Sequence, residues 1–207
     1  MTTAQSTIRG YRPDDLPALY DICLRTGSNG ADATDRYPDP MLPGAVFAAP
    51  YATLEPELTF VVDDGQRAVG YILGTADTPT YVRRVRQEWL PTQVARFPEP
   101  TGEITTDEGR IRSLLHNPER LLHPETAQYP AHLHIDLLPS HQHGGFGRRL
   151  MTRFTDELAQ RGIPGVHLAT SEANINAVAF YQRLGFQRIS IAGWPQLCMF
   201  AKRIPQG

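Results

Sequence analysis

Lysine, cysteine and long apolar runs are scarce in this sequence of 207 residues. Lys202 is the only lysine, and the other basic residues are arginines that nearly balance the acidic ones, leaving a formal net charge of -2. A charge so close to zero gives no general attraction to nucleic acid or to an anionic membrane. No apolar run approaches the length that a bilayer requires, and the first residues show no signal-peptide pattern. We therefore expect a cytoplasmic protein that binds neither nucleic acid nor a membrane.

The two cysteines, Cys23 and Cys198, lie far apart in the sequence. Both stand among apolar residues, which is typical of buried thiols in a reducing compartment, although a disulfide between them stays open. The apolar fraction of 41% and the charged fraction of 20% are ordinary for a folded protein. The length suits one globular domain with a large insertion.

Strand and helix patterns alternate along the chain. A hairpin is predicted over residues 58–74, where two β-rich runs flank the turn signal Asp64-Gly65. Amphipathic helices are predicted over three stretches: residues 14–25, 146–162 and 174–185. Residues 31–57 predict a long loop with one short helix, whereas residues 78–130 predict helices, including one over residues 81–97. The alternation indicates a mixed α/β (α+β) fold around one central sheet.

The stretch HLHIDLLPSHQHGGFGRRL, residues 132–150, runs from a strand pattern through a glycine-rich turn into a helix. A helix start presents unpaired N–H groups and the positive end of the helix dipole, and glycines let the backbone approach an anion closely. The turn and the arginines after it therefore predict a diphosphate site, and a tight turn without chemistry is the alternative.

Four histidines near this junction raise the possibility of a metal site. His132 and His134 alternate along the strand, so both rings are directed to the same side, as some zinc sites require. However, His141 and His143 occupy the turn that the phosphate interpretation needs, and no cysteine cluster accompanies them. We therefore expect no metal.

Two motifs resemble those of the GNAT acyltransferase superfamily. Gln142-x-x-Gly145-x-Gly147 resembles its acetyl-CoA diphosphate motif, and NINAVAFYQRLGF (residues 174–186) resembles its second signature. Their order, their spacing and the two closing strand patterns agree with that likeness. The resemblance implies a single GNAT-type domain, with a central mixed, mostly antiparallel sheet of about six to seven strands flanked by helices. The helical insertion at 78–130 then falls between strands 3 and 4.

A narrower likeness involves the segments RYPDPMLPGAVFAAPYATLEPELTFVV, GYILGTADT, EWLP and YPAHLHIDLLP. They are similar to the acetyltransferase-like C-terminal domain of eukaryotic O-GlcNAcase and to its bacterial relatives. The eukaryotic domain looks degenerate at the glycine turn, whereas this chain keeps the full Q-x-x-G-x-G pattern. That pattern indicates that the chain binds the cofactor.

The resemblance implies direct transfer of an acetyl group from acetyl-CoA to an amine within a ternary complex. The acceptor, a small molecule or a protein lysine, stays open, as does the oligomeric state. The alternative function is a domain that binds acetyl-CoA as a ligand or interaction signal without turnover.

By family position, the residues around the two motifs are expected to bind acetyl-CoA. A main-chain N–H near Leu137 or Leu138 is expected to bond the thioester carbonyl, where negative charge develops. Asn174 is expected to hold a water or the pantetheine arm, with a helix N-cap as the alternative. The expected cofactor-binding residues are Leu137, Leu138, Gln142, His143, Gly144, Gly145, Phe146, Gly147, Arg148, Arg149, Asn174, Asn176 and Tyr181.

Tyr181, Asp136 and His134 are the candidate catalytic residues. Tyr181 matches the family's general acid, and a phenol is protonated at neutral pH; its alternative role is helix packing. Strand alternation puts His134 and Asp136 on one face. Asp136 is the first candidate base and could also orient His134 or bind the substrate ammonium. A structural polar cluster is the alternative for this pair.

The long loop at 27–57 and the insertion are expected to wall the acceptor cleft, because loops on a rigid scaffold generally set specificity. Asp77 at the end of the third strand and Trp89 in the insertion are candidate substrate-binding residues, as is Trp194. For tryptophans, packing is the alternative.

Overall fold

The computed structural model describes residues 6–193 and 197–205. The strands of this part are β1 Thr7–Gly10, β2 Thr59–Asp63, β3 Ala68–Thr75, β4 Ala131–Leu137, β5 Gly165–Thr170, β6 Gln187–Ile189 and β7 Cys198–Arg203. The α-helices are α1 Leu16–Thr26, α2 Leu42–Phe47, α3 Ala49–Leu54, α4 Thr78–Arg84, α5 Leu90–Gln93, α6 Asp107–His116, α7 Phe146–Gln160 and α8 Ile175–Arg183. Trp194, a predicted cleft residue, lies outside the described residues.

The strands form one sheet of seven in the order β1-β2-β3-β4-β5-β7-β6. All neighbouring pairs are antiparallel except β4 and β5, which are parallel. The insertion lies between the third and fourth strands. The predicted fold class, a mostly antiparallel mixed sheet flanked by helices, is therefore confirmed.

The predicted hairpin is formed by β2 and β3, and side chains of its turn fix its geometry. The Asp63 carboxylate accepts from the Gly65 N–H at 2.8 Å, and Asp64 accepts from the N–H groups of Gln66 and Arg67 at 2.8 and 2.9 Å. Gly65 has a φ of 93°, a conformation that favours glycine. The turn thereby sets the register between β2 and β3, the strand that pairs with β4.

Helices cover the two faces of the sheet. α7 packs on β2, β3 and β4 through an apolar stripe that includes Leu150, Phe154 and Leu158, all buried. α1 packs on β3 and β4 from the other face through Leu19, Ile22 and Cys23. Both cysteines are free and buried. Within the described ranges, no helix combines the length and apolarity needed to cross a bilayer.

The prediction of one short helix in residues 31–57 is corrected. The structure has two, α2 and α3, and each carries a proline in its first turn, Pro43 and Pro50. A proline is tolerated there because an N–H in the first turn has no intrahelical acceptor, so its absence costs no hydrogen bond. The prolines that suggested a loop are helix-start residues instead.

The insertion is helical, as predicted, but its first helix is interrupted. α4 is followed by a wide π-type turn over Val85–Trp89 and then by α5, which carries Pro91 near its start. A proline inside a regular helix clashes with the carbonyl four residues earlier, and a wide turn relieves such crowding. Thr106 caps α6, its hydroxyl accepting from the Gly109 N–H at 3.0 Å.

Gly74 lies where β3, β4 and α7 meet without space for a side chain. A methyl group added there would overlap the carbonyl oxygen of His132 and lie 2.7 Å from Cζ of Phe154. We expect Gly74→Ala to lower the free energy of unfolding by about 1–3 kcal/mol, measured by urea denaturation. Gly10→Ala is the matched control in the same sheet, because a methyl group there meets no atom within 4 Å. Equal stability of the two variants would contradict this packing.

Candidate active site

The site begins where β4 and β5 separate. The two strands pair only at Ala131–Val166 and His132–His167, although both continue further. The Leu138 N–H donates to the Val69 carbonyl at 3.0 Å. Because bonding directions alternate along a strand, the Leu137 N–H faces the opposite edge, toward the gap beside β5. Of the two main-chain donors predicted for the thioester carbonyl, the prediction for Leu138 is therefore wrong, because its N–H already donates a hydrogen bond within the sheet.

A cavity of about 660 Å³ opens at this gap. Its volume lies in the range of small-molecule and cofactor sites. Four segments supply the described residues that line it: Thr26 and 29–31 after α1; 135–137 of β4; Gln142, His143, Gly145, Gly147 and Arg148 of the glycine turn; and Asn174, Asn176, Ala177, Ala179, Phe180, Tyr181, Arg183 and Leu184 at α8. Both sequence motifs thus meet at one cavity.

The glycine turn directs main-chain donors to this cavity. Gly145 is the N-cap of α7 with a φ of 79°, and His143 has a φ of 62°. The first intrahelical bond of α7 is donated by Arg149 to the Gly145 carbonyl at 3.1 Å. The preceding amides of the first helical turn have no intrahelical acceptor. They form, with the positive end of a 15-residue helix, a suitable site for an anion.

Gln142 and Gly147 fix this turn against neighbouring elements. The Gln142 side-chain amide donates to the Leu137 carbonyl at 2.9 Å, which ties the turn to the free edge of β4. A Cβ atom at Gly147 would lie 3.2 Å from the Phe180 ring and 3.6 Å from Leu137. A glycine at this position therefore lets α7 approach α8 closely beside the cavity.

Asp136 lies in the cavity wall and is hydrogen-bonded to a tyrosine of the neighbouring strand β3. Tyr71 is its direct register partner, and the Tyr71 hydroxyl donates to Asp136 Oδ2 at 2.7 Å. Burial raises the pKa of the Asp136 carboxyl, and the hydrogen bond from Tyr71 opposes part of that rise. Asp136 is the only carboxylate among the described residues that line the cavity.

Tyr181 projects from α8 into the same region. Its ring packs against Phe186 and Phe200, with centroids 5.8 and 6.0 Å apart, and the residue is 7% exposed. Burial and the charge on Asp136 both raise the pKa of the Tyr181 phenol. The hydroxyl is therefore protonated at neutral pH and can donate a proton.

His134 belongs to a different cluster, and its predicted catalytic role is corrected. Its Nε2 lies 3.2 Å from the Tyr51 hydroxyl, and its ring also packs against Phe47. Burial, and then the charge of Arg120, lower the pKa of His134 to about 4, so the ring is neutral at pH 7. It does not line the cavity, and Asp136 is oriented by Tyr71 instead. The alternative of a structural polar cluster describes His134.

The histidines of β4 and of the turn that follows it are also unsuited to metal binding. Both ring nitrogens of His132 are bonded, Nε2 to the Tyr51 hydroxyl and Nδ1 to the Thr78 hydroxyl, each at 2.7 Å. His141 Nδ1 lies 2.9 Å from the Ser140 hydroxyl. In the part of the chain that the structure describes, no three His, Cys, Asp or Glu residues converge as a metal site.

The other predicted cofactor residues divide into two groups. Asn174 caps α8, accepting from the Ala177 N–H at 3.1 Å, and it also lines the cavity, so its contact with a water or the pantetheine arm stays a prediction. Gly144, Phe146 and Arg149 are not among the cavity-lining residues described. The Arg149 guanidinium instead lies over the Phe146 ring, 5.1 Å from its centroid. Cofactor binding by Gly144, Phe146 and Arg149 stays a prediction.

Two predicted substrate-binding residues have structural roles elsewhere. Asp77 lies just beyond the C-terminal end of β3. It is the N-cap of α4, and its side chain accepts from the Thr80 N–H at 2.9 Å. Trp89 is buried, and its indole N–H donates to the Ala45 carbonyl at 2.9 Å. Neither lines the cavity. Both predictions are corrected, as is the prediction that the insertion walls the cleft: the described lining residues include none from 78–130.

Several site residues are absent from the sequence-based predictions. Tyr71 and Thr26 come from segments that carry no recognised motif, whereas Arg183 lies in the second motif and Asn29 in the loop predicted to wall the cleft, without either residue being singled out. Thr26 and residues 29–31 form part of the cavity wall, so the predicted contribution of the loop after α1 is found at its first residues. The pairing of Tyr71 with Asp136 depends on strand register, which the hairpin pattern alone does not give for β4.

Comparisons with known proteins agree with this geometry. The model of the acetyltransferase (GNAT) family matches residues 28–186. The crystal structure of SsHAT has a TM-score of 0.93 at 49% identity, covering 98% of this chain and 100% of that chain. Protein O-GlcNAcase of Rattus norvegicus is 24% identical over 198 residues, 94% of this chain and 22% of that protein, so the chain spans about a fifth of this relative.

A more distant structure shows the same fold with its ligand. PaiA N-acetyltransferase from Thermoplasma acidophilum, in complex with coenzyme A, has a TM-score of 0.53 at 14% identity, covering 96% of this chain and 99% of that chain. The resemblances to the superfamily and to the O-GlcNAcase group that the sequence suggested are both confirmed.

Proposed function

Because the chain belongs to the GNAT acetyltransferase family and is an acyltransferase, we propose that it transfers an acetyl group from acetyl-CoA directly to an amine in a ternary complex. One observation carries the proposal: the α7 N-terminus, Tyr181 and Asp136 meet at a single cavity beside the open edge of β4. These are an anion site, a proton donor and a carboxylate, which this reaction requires.

The residues present fit coenzyme A. The unpaired amides at the start of α7 would hold its diphosphate, and His143 and Arg148 stand beside them at the cavity. Asn174 and Asn176 would contact the pantetheine arm from α8. Arg183 adds a second arginine to the lining and would favour a phosphorylated ligand.

Both faces of β4 contribute to the cavity. Ile135 and Leu137 belong to one face of the strand and Asp136 to the other, yet all three line the same space. Two ligands can therefore meet at the open edge of β4 from opposite faces. This arrangement supports direct transfer, because no covalent intermediate on the protein is then needed.

Acetyl-CoA, when bound, supplies the acetyl group as an activated thioester. The Leu137 N–H is available to stabilise negative charge on the thioester oxygen. Asp136 takes a proton from the acceptor ammonium, and the freed amine forms the new C–N bond as the C–S bond breaks. Tyr181 gives its proton to the departing thiolate, whose pKa of about 8.5 lies below that of a phenol. Solvent then returns a proton to Tyr181 and accepts those lost from Asp136 and the nitrogen.

The acceptor is expected to enter beside the segment after α1. Asn29 has a φ of 53°, and Gly30 approaches Asn174, whose Nδ2 would lie 4.0 Å from a Cβ atom at Gly30. This segment and Asp136 are thus the residues best placed to select the amine. Since Asp136 is the one carboxylate in the described lining, it is also the candidate ligand for the ammonium.

The test is an acceptor screen with acetyl-CoA as donor, in which release of the CoA thiol is measured. Tyramine, glucosamine, spermidine and a lysine-containing peptide represent four classes of amine, and the acetylated product is identified by mass spectrometry. Amine-dependent release with an N-acetyl product supports the proposal. Tight acetyl-CoA binding with no release for any amine contradicts it and favours a binding module without turnover.

A further inference from the structure

A buried tyrosine stands behind the candidate base. Tyr71 lies in the middle of β3 and is fully buried, and its hydroxyl donates to Asp136 Oδ2 at 2.7 Å. Tyr71 does not line the cavity, whereas Asp136 does. Any effect of the Tyr71 hydroxyl on a bound substrate must therefore act through the carboxylate of Asp136.

The direction of this hydrogen bond follows from the chemistry of the two groups. A phenol has one proton, and Tyr71 places it on Asp136. Cys23 on α1 is a buried neighbour of this tyrosine, and its electrostatic interaction with the phenol raises the pKa of Tyr71. A hydrogen bond donated to a carboxyl oxygen is stronger when the carboxyl is ionised, so the Tyr71 hydroxyl favours the charged form of Asp136.

We propose that Tyr71 is a positioning residue for Asp136: it holds Oδ2, presents Oδ1 to the amine and favours the charged carboxylate that can take a proton. The role rests on the proposed function, since it concerns the base of the same reaction. It adds a residue outside the cavity to those on which transfer depends.

The surroundings of Asp136 make this bond decisive. The titratable groups that face it are Tyr71 from β3, Cys23 from α1 and Tyr181 from α8, and burial raises the pKa of each. All three are therefore neutral near pH 7 and none supplies a positive charge. The nearby Thr26 hydroxyl donates its proton to the Ile22 carbonyl at 2.7 Å, so Tyr71 supplies the hydrogen bond that favours the charged carboxylate.

The test is Tyr71→Phe, which removes the hydroxyl and keeps the ring. Hydrogen bonding to the charged form lowers a carboxyl pKa, so its loss is expected to raise the apparent pKa of Asp136 by roughly one pH unit or more. We would follow the carboxyl carbon of ¹³C-labelled aspartate by NMR, with Asp136→Asn identifying the resonance. The acid limb of the kcat/KM profile, measured with the most active amine of the screen, is expected to move upward equally.

The matched control is Tyr51→Phe. Tyr51 is another buried tyrosine on this side of the sheet, but its hydroxyl bonds His132 and His134 rather than Asp136. We expect this variant to keep the wild-type pKa of Asp136 and the wild-type acid limb. Thermal melts monitored by circular dichroism confirm that both variants are folded.

The outcomes separate this role from the proposed function. A rise in the Asp136 pKa with Tyr71→Phe, together with recovery of activity at higher pH, supports the positioning role. A uniform loss of activity at every pH, without movement of the Asp136 resonance, contradicts it and leaves the reaction in place. A wild-type protein that acetylates no amine contradicts the proposed function, and the NMR titration still decides whether Tyr71 controls the charge of Asp136.

Discussion

Replacing Tyr181 with phenylalanine is expected to lower kcat by roughly 100- to 1,000-fold, the usual contribution of a general acid. The ring of phenylalanine keeps the packing against Phe186 and Phe200, so the fold and the cavity are retained. The departing thiolate then lacks a positioned proton donor. Because the phenol is protonated throughout the neutral range, the loss should be nearly independent of pH between about 6 and 8.

The measurement is acetyl transfer under saturating substrate, combined with calorimetric binding of acetyl-CoA. Affinity for acetyl-CoA is expected to stay within about threefold of the wild type, because the diphosphate contacts are elsewhere. Tyr20→Phe is the control, since Tyr20 lies on α1 beside Gly44 and outside the cavity lining. Unchanged turnover in Tyr181→Phe would remove the general acid from the mechanism.

The second large effect is expected at Asp136. We expect Asp136→Asn to lower kcat/KM by roughly 1,000-fold at pH 7, because the ammonium of the acceptor loses its base. With an amine pKa of about 10.4, fewer than about one acceptor molecule in a thousand is unprotonated at pH 7. The activity of the variant is therefore expected to rise about tenfold for each pH unit.

The wild type is also expected to lose activity at low pH, but through protonation of Asp136 rather than of the acceptor amine. Asp136 is useful only when ionised, so activity is lost as the pH falls through its pKa, which burial raises above the ordinary value for aspartate. Asp136→Asn lacks this acid limb. Asp156→Asn, on the exposed side of α7, changes the same chemical group outside the cavity and should keep the wild-type profile. An Asp136→Asn profile parallel to that of the wild type would exclude Asp136 as the base.

The parts of the site that could be predicted from sequence are those carried by continuous segments. Gln142, Gly145 and Gly147 fall within one turn, and the Tyr181 motif falls within one helix, so local spacing was enough to place them. Asp136 followed from strand alternation, because period two fixes the face of each residue. The same argument placed His134 on that face but could not show that Tyr51 would occupy it.

The residues that escaped prediction depend on contacts between distant segments. Tyr71 reaches Asp136 only through the register of β3 and β4, and the 53 residues of the insertion (78–130) separate these two strands in the sequence. Thr26 and Asn29 reach the cavity because α1 crosses the same sheet. Nothing in their local sequence records these long-range contacts.

The failed predictions show how capping and packing imitate function. Asp77 was selected because it follows a strand, but an aspartate before a helix is also a favourable N-cap. Trp89 was selected as an aromatic wall, yet its indole N–H donates to the Ala45 carbonyl of α2 and packs the insertion onto that helix. The helices of the insertion pack against α2 and α3, whereas the segment after α1 lines the cavity.

The central claim is that the turn before α7 holds the diphosphate of acetyl-CoA, and calorimetric titration of two variants at one position tests it most directly. Gly145 has open space where a side chain would begin and a left-handed backbone that Asn and Asp both tolerate. The variants Gly145→Asn and Gly145→Asp therefore differ mainly by one negative charge at the cavity. We predict one acetyl-CoA site in the wild type, and at least tenfold weaker binding in Gly145→Asp than in Gly145→Asn, with the difference shrinking at high salt. Equal affinity of the two variants, or no binding of acetyl-CoA to the wild type, would contradict the account.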